Sequence, residues 1–518
     1  MPLTGVDPND PTPSIRREII LGAGESLGAG GERYVLIYGN KTSAGSETAT
    51  TIGDPIQSDQ DCKDRFGARS EIYQQYRTYT MVDQNATIYA IAVAEPGGGS
   101  AGTVQFTFAT AATDTTTVDV KWGGFTASFA VASGDSPETQ ATNLVSTINN
   151  AEQGTWPFTA AVNGGDAKIV DVTCANTGDR GNLVLNRLRV TYRKSVGSTC
   201  TKGSVTNGSG TDDFTNAFAA AVTAGTFYYQ ISPKHATGAV TATDNGIGEH
   251  ITNITTQALP INGRSQLVCF GLVGTNSQAI AVATSSAANS SRAFFWWQEN
   301  NDWTPGMLAA HCTAVMRQQQ ILHPSANLTG YANGDSTPFF VPPPNDKNDV
   351  PTTTEIRNAL NNGICPISFT TLGAPFIVRQ VTSKSLVPGT TTNDYRVREG
   401  HIPSAIDFAW EQIQAKYAAQ RQPFLAADPP QGQKPLPKTT YPSSVRGLVA
   451  SVIDDLTSAA PVGGTYLGPI LDPSTVTQQK NSIVARKITG GISVQVDLVA
   501  VEHNNKAEFT LRDVSAAQ

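Results

Sequence analysis

The sequence is poor in charge and has no long apolar run. Only 15% of its residues are charged and the formal net charge is −7, so the chain lacks the basic field that attracts a phosphate backbone. The longest apolar stretch, Leu267 to Val273, is too short to span a bilayer. The N-terminal sequence contains no apolar segment typical of a signal peptide. We therefore expect a protein made in the cytosol, with no membrane anchor and no direct contact with nucleic acid.

Cysteine and histidine are present, but never at the spacing of a metal or redox site. The six cysteines include no CxxC pair, which favours buried free thiols. Pairing of Cys174 with Cys200 after cell lysis stays open as an alternative. None of the six histidines stands in HExxH or at zinc-finger spacing. His311 and Cys312 are neighbours, but adjacent residues on a helix point roughly 100° apart and cannot form a catalytic dyad.

The glycine-rich, acidic and aromatic segments also fail the tests for catalytic and cofactor sites. The glycines between Gly22 and Gly31 precede the strand-like Arg33 to Tyr38, whereas a dinucleotide loop leads into a helix. There is no G-x-S-x-G motif, and the pairs Asp212-Asp213 and Asp454-Asp455 lie at predicted helix starts or solvated faces. Phe294 to Trp297 favours a buried strand or a subunit contact over a stacking platform. We expect no enzyme, and we predict no catalytic, metal-binding or cofactor-binding residues.

What the sequence does contain is an alternation of strands and helices, which predicts an α+β (mixed α/β) fold. A chain of 518 residues is expected to form about two to four domains. Strands are predicted at Arg33–Tyr38 and Thr87–Val93, and helices at Ser70–Val82 and Pro305–Gln320. We assign residues 21–96 and 211–350 to one discontinuous α/β domain, with a layered sheet and flanking helices.

A β-rich segment interrupts this alternation between residues 97 and 210. It consists of short alternating strands with small polar turns, such as TVQFTF, TVDVKW and KIVDVTC. One helix is predicted within it, with Ser136 as its cap and Pro137 in its first position. The sequence therefore predicts an inserted β-rich outer domain.

The segment from 351 to 490 is predicted to form a further domain. Thr354 is expected to cap a helix that Asn362-Gly363 terminates. Two strands, Ile364–Phe369 and Pro375–Val381, are expected to follow. Ser404 is expected to cap the next helix, and another helix is predicted from Ser444 to Ala459.

The two ends of the chain have the composition of extended arms. Residues 1–20 are rich in proline and cannot nucleate a helix or strand by themselves. In residues 491–518, apolar side chains alternate with polar ones in two strand-like runs. A hairpin within the chain's own fold and pairing with a neighbouring subunit both stay open for these runs. The intersubunit arm residues that we predict are Leu3, Val6 and Ile15 at the N-terminus and Ile492, Val494, Val496, Leu498, Phe509 and Leu511 at the C-terminus.

Three segments resemble contractile phage tail sheath proteins of the Mu-like and related myophage type. The first is the helix, Asn-Gly turn and strand pair of Asn358 to Leu386, which continues into DYRVREGHIPSAIDFAWEQIQAKY. The second is FTASFAVASGDSPETQATNLVSTINN, which is similar to the inserted domain of that family. The third is ARSEIYQQYRTYTMVDQNATIYAIAV, near the start of the α/β domain. Together with the terminal strands, the resemblance covers most of the chain.

The resemblance implies a structural subunit of a virion tail that is assembled in the host cytoplasm. Its expected partners are other copies of itself in six-fold stacked rings, the tail tube protein, and baseplate and tail terminator proteins. The 351–490 domain would lie near the tube, with Arg486, Lys487 and Arg446 as candidates for tube-facing residues. Three alternatives stay open: a shell protein, a surface adhesin, or an α/β hydrolase or transferase. The resemblance leaves open whether the tail belongs to an infectious phage or to a phage-tail-like bacteriocin.

Overall fold

The computed structural model describes residues 33–501, apart from 180, 245, 260–261, 333–337, 345, 388–389, 391, 393, 395–397, 421, 459–468 and 489–490. The strands in this range are β1 (Val35–Gly39), β2 (Ile88–Ala92), β3 (Ala101–Phe108), β4 (Thr116–Trp122), β5 (Phe125–Val131), β6 (Phe158–Val162), β7 (Ile169–Thr177), β8 (Arg189–Tyr192), β9 (Cys200–Lys202), β10 (Tyr229–Ser232), β11 (Leu267–Leu272), β12 (Ala293–Trp297), β13 (Tyr331–Ala332), β14 (Cys365–Phe369), β15 (Pro375–Ile377), β16 (Phe424–Leu425), β17 (Thr439–Thr440), β18 (Val484–Ile488) and β19 (Gly491–Gln495). The α-helices are α1 (Asp59–Phe66), α2 (Glu71–Thr80), α3 (Pro137–Asn150), α4 (Gly181–Leu185), α5 (Thr215–Ala224), α6 (Ile247–Gln257), α7 (Asn276–Ala283), α8 (Pro305–Leu322), α9 (Thr353–Asn361), α10 (Ile402–Gln420), α11 (Pro442–Thr457) and α12 (Val476–Ser482).

An eight-stranded sheet forms the largest layer, in the order β13-β15-β14-β12-β11-β10-β1-β2. The strands from β2 to β14 in this order are parallel, whereas β15 is antiparallel to both of its neighbours. The central strands are continuous apolar runs because helices cover both of their faces. Val35 and Ile37 of β1 face the side of α2 and α8, and Leu36 and Tyr38 face α5. The predicted mixed α/β class is confirmed.

The β-rich segment forms two antiparallel sheets of its own, β6-β7-β3-β9 and β5-β4-β8, with α3 packed against them. Ser136 caps α3 and Pro137 opens it, as predicted. Trp122, Trp156 and Phe158 of this segment lie in the same buried cluster as the residues of α8 that pack on the large sheet. The segment therefore shares its core with the main sheet, and its boundaries at 97 and 210 stay a prediction.

Side chains on and just before α2 fasten the β-rich segment to the main sheet. The Arg69 guanidinium donates to the carbonyl oxygens of Trp156, at 3.0 Å, and Asn149, at 2.9 Å. About two turns farther along, Arg77 forms an ion pair with Glu152 at 2.6 Å. These three partners lie close together at the end of α3, so α2 holds the β-rich segment at that point.

The region from Thr352 to Ile377 extends the large sheet. α9 begins after Thr352, whose hydroxyl and Glu355 form a reciprocal capping box, so the prediction of Thr354 as the cap was wrong by two residues. The helix ends at Asn362 with Gly363 at a φ of 75°, as predicted. β14 pairs with β12, so the large sheet runs across the predicted domain boundary at residue 351.

A second apolar core lies farther along the chain, and we call residues 402–501 that are described the C-terminal body. α10, α11 and the hairpin β18–β19 contribute its apolar side chains. α10 begins at Ile402, and Ser404 is a buried residue inside it, so the prediction of Ser404 as the cap was wrong. α11 begins at Pro442, where the ring pre-sets the first helical φ.

Replacing Gly363 by Ala tests how tightly the end of α9 is built. A Cβ at this position would lie 2.9 Å from the Ser383 Cα atom, and its φ is left-handed. Gly373 is the matched control, since it has a φ of +82° but no atom within 4 Å of a Cβ. We expect Gly373→Ala to cost about 1 kcal/mol in unfolding free energy and Gly363→Ala at least about 2 kcal/mol more, measured by denaturant titration. Equal costs would contradict the crowding seen at Gly363.

Candidate assembly site

The surface of the C-terminal body carries the residues that the sequence analysis proposed as contact sites. α11 buries one side, with Val445, Leu448 and Val452 in the core. Arg446 is exposed on the opposite side of the helix. This division follows from the spacing of the apolar residues, which recur every three to four positions. Arg446 is therefore placed where another molecule can reach it.

The hairpin β18–β19 presents Arg486 and Lys487 in different directions. Arg486 lies opposite Ser493, and Lys487 lies opposite Ile492. Both basic residues are exposed. Because successive side chains of a strand point to opposite faces of the sheet, a flat partner surface can contact only one of them directly. The predicted tube-facing pair is thus split between the two faces of the hairpin.

The apolar residues of β19 pack inward. Ile492 and Val494 are partly buried against the core of the C-terminal body, as is Val496 just after the strand. Within the described residues, β18 and β19 form a sheet of only two strands. Each strand therefore has one edge at which no further strand of the described chain is paired, and such edges are templates for strand addition.

Leu498, one of the predicted arm residues, is buried within the C-terminal body. It is 3% exposed and belongs to the core of its own chain. The backbone that follows Leu498 is held as well: the Asp472 amide donates to the Val499 carbonyl at 2.8 Å, and the Val501 amide donates to the Ile470 carbonyl at 3.1 Å. The chain therefore remains anchored to its own fold through Val501. Leu3, Val6, Ile15, Phe509 and Leu511 lie outside the described residues.

A buried ion pair fixes the C-terminal body to the large sheet. Asp407 of α10 receives both Nη atoms of Arg292, at 2.6 and 3.0 Å, and the Tyr228 hydroxyl at 2.7 Å. The side chains of Asp407 and Arg292 are 0% and 3% exposed. Arg292 and Tyr228 directly precede β12 and β10, respectively. A helix of the C-terminal body is thus bound to the amino ends of two strands of the sheet.

A second contact involves Ser404 and Glu411, which lie about one turn to either side of Asp407 on α10. The Arg33 guanidinium donates to the Ser404 hydroxyl at 3.0 Å and to the Glu411 carboxylate at 3.3 and 3.5 Å. It also lies over the Tyr228 ring, 4.2 Å from the centroid. Burial raises the pKa of Glu411 to about 7, although the nearby Arg33 acts in the opposite direction.

The groups that could have suggested catalysis are used for packing. The two ring nitrogens of His311 contact the Thr78 carbonyl and the Phe340 amide. Burial raises the pKa of the Cys312 thiol.

No cluster of three potential metal ligands exists among the residues that the structure describes. In the same residues, no helix has the length and apolar character needed to cross a membrane. Phe294 to Trp297 form β12 and are fully buried, in agreement with the predicted buried strand.

The sequence analysis did not single out the four charged residues that position α10. Asp407 and Glu411 are four residues apart in SAIDFAWEQI, within the apolar side of the helix. Acidic residues at helical spacing inside an apolar stripe are a signal that buried cations are needed nearby. Their partners, Arg292 and Arg33, are 115 and 378 residues away in the chain, so the sequence alone cannot identify them.

No family model matches the chain, and neither does any curated protein. The structure is similar to that of the sheath tail protein Lin1278 from Listeria innocua, with a TM-score of 0.40 and 13% sequence identity over 92% of this chain and 97% of that one. It is also similar to a chain in the cryo-EM structure of the anti-feeding prophage baseplate, symmetrised six-fold, with a TM-score of 0.39 and 11% identity over 97% of this chain and 99% of that one. Similarity at this level does not identify a function.

Replacing Asp407 by Ala tests whether the buried pair holds the C-terminal body in place. The change removes the carboxylate that neutralises a buried arginine, so we expect a loss of about 3–5 kcal/mol in unfolding free energy. The double variant Asp407→Leu/Arg292→Met should lose less, because no buried charge remains. Lys416→Met is the control, since its ion pair with Asp455 is partly exposed and is worth at most about 1 kcal/mol. Denaturant titration in which Asp407→Ala and Lys416→Met cost the same would contradict this role.

Proposed function

We propose that the chain is a structural subunit of a contractile tail sheath. It polymerises as stacked six-membered rings around a tail tube, and contraction of the rings drives the tube through the host envelope. The observation that carries the proposal is the hairpin β18–β19, which lies close to the C-terminus and has two unpaired strand edges within the described chain. The three segments that resemble sheath proteins supply the kind of assembly.

Strand addition explains how the subunits connect. An edge of β18–β19 offers backbone N–H and C=O groups, and an extended segment from a neighbour can satisfy them. The sequence predicts such segments at both ends, with Leu3, Val6 and Ile15 on one side and Phe509 and Leu511 on the other. Ile492, Val494 and Val496 then act indirectly, because they anchor the hairpin to its own core while its edges receive a neighbouring strand.

The tail tube is the partner proposed for two exposed arginines of the C-terminal body. Arg486 and Arg446 are exposed on β18 and α11, and cationic side chains attract an acidic partner surface over a distance of about a Debye length. Lys487 points to the other face of the hairpin and serves a different contact in this arrangement. Baseplate and tail terminator proteins are the proposed partners at the two ends of the polymer.

Contraction, in this proposal, draws its free energy from the contacts between subunits. The extended polymer is a metastable packing of rings, and the contracted polymer buries more complementary surface. Strands shared between subunits must stay paired through this change, because they keep each ring connected to the next. A subunit whose two apolar cores are joined by buried ion pairs can rotate without coming apart.

Deleting Asn505 to Gln518 tests the strand-addition model. The deletion removes Phe509 and Leu511, so we expect a folded monomer that no longer polymerises, as measured by sedimentation velocity and negative-stain microscopy. A shorter deletion, Asp513 to Gln518, keeps both apolar residues and should still give hollow cylinders.

Normal cylinders from the longer deletion would refute the arm model. Closed shells or fibrils from the full-length chain would favour the shell or adhesin alternative instead. A monodisperse monomer with hydrolytic activity would refute the sheath proposal altogether.

A further inference from the structure

Two ion pairs of unequal strength, Asp407–Arg292 and Glu411–Arg33, hold α10 against the large sheet. At Asp407, three hydrogen bonds of 2.6 to 3.0 Å converge on one carboxylate. At Glu411, the Arg33 guanidinium approaches only to 3.3 and 3.5 Å. The Arg33–Glu411 pair is buried, like Asp407–Arg292, since the side chains of Arg33 and Glu411 are 11% and 9% exposed. We infer that the Arg33–Glu411 pair is the weaker one, because long ionic hydrogen bonds offset less of the free-energy cost of burying a charge.

The stronger ion pair, Asp407–Arg292, lies nearer the N-terminus of α10, where further contacts with the rest of the chain are made. Just before the helix, the Gly400 amide donates to the Gln380 carbonyl at 3.1 Å, and His401 contacts Asn327 at 3.2 Å. Past Glu411, Lys416 binds Asp455 and Ser451 of α11, which belong to the same body as α10. Glu411 therefore stands at the far end of the contact between α10 and the sheet.

We propose that Arg33–Glu411 is a latch and that Asp407–Arg292 is the pivot about which the C-terminal body turns when the latch opens. Withdrawal of Arg33 releases Glu411 and the Ser404 hydroxyl, while the Asp407–Arg292 pair and the contacts of Gly400 and His401 persist. The moving unit keeps its own core, because the apolar residues of α10, α11 and the hairpin cluster together. Arg33 lies two residues before β1, so a force on the chain that precedes it acts first on the latch. The inference holds for a single subunit and does not rest on the proposed function.

The chemistry of Glu411 gives the latch a pH dependence. The groups that face it are Arg33 and Asp407, with Ser404, Tyr228 and Arg292 around them. Burial raises the pKa of Glu411 from an ordinary value of 4.5 to about 7, so the latched state binds a proton more tightly than the released state. The latch therefore weakens as the pH rises from 4.5 towards 7, by at most about tenfold per pH unit. Above that range no further change follows from this group.

The experiment measures the distance between the two bodies in the soluble monomer by double electron-electron resonance. Nitroxides are attached through ketone-bearing residues at positions 84 and 419, which are both exposed, because the chain already contains six cysteines. Wild type should show one distance at pH 5.5 and an additional, longer one at pH 8. Glu411→Gln keeps a hydrogen-bond acceptor without the charge, so it should show the short distance at both pH values. Arg33→Met removes the cation and should increase the ratio of the long-distance to the short-distance population at pH 8 by about tenfold or more.

Lys416→Met is the matched control, because this side chain lies on the same helix but binds within the C-terminal body. It should reproduce the wild-type distances at both pH values. A melting temperature for Glu411→Gln that equals or exceeds the wild-type value establishes that the variant is folded. Identical distance distributions in wild type, Glu411→Gln and Arg33→Met at both pH values would overturn the latch.

Discussion

The burial of two carboxylates of α10 against two arginines of the main sheet is the constraint that the architecture depends on. Asp407 and Glu411 are almost fully buried, and burying an unpaired charge costs several kcal/mol. Arg292 must therefore stay paired with Asp407, which holds the C-terminal body at the amino ends of β10 and β12 even when Arg33 withdraws. The hairpin β18–β19 rests on that body through Ile492 and Val494. The direction in which its strand edges point is thus set by an interaction at the opposite side of α10.

The β-rich segment and the C-terminal body are connected to the main sheet in two different ways. The β-rich segment shares its apolar core with the main sheet and is held by Arg69 and Arg77, so it moves with the sheet. The C-terminal body has its own core and is joined mainly by charged and polar contacts. A shared core resists rotation because side chains interdigitate, whereas a polar joint has discrete partners that can be exchanged. This difference gives the chain one rigid part and, in the latch that we propose, one part that can turn.

Features encoded by neighbouring residues were predictable from the sequence, and features encoded by distant ones were not. Pro137 and Gly363 act locally, through a fixed φ and a left-handed φ, and their roles were found. The cap of α9 was missed by two residues, although Glu355 three positions after Thr352 is the local signal for it. Ser404 was misassigned as a cap for a different reason, since it binds Arg33, 371 residues away. The burial of Leu498 in the core of its own chain likewise depends on distant residues such as Ile470. Arg486 and Lys487 face opposite sides because they are neighbours on β18, a strand that the sequence analysis did not predict.

The most direct test of the central claim, that this chain builds a sheath by sharing strands, is a cryo-EM map of the polymer formed by the purified full-length protein. The sheath proposal predicts a hollow cylinder with six-fold symmetry, in which a strand from another copy lies against an edge of β18–β19. A polymer in which both edges of the hairpin remain in solvent would contradict strand sharing, and a chain that stays monomeric at every concentration would contradict the sheath itself.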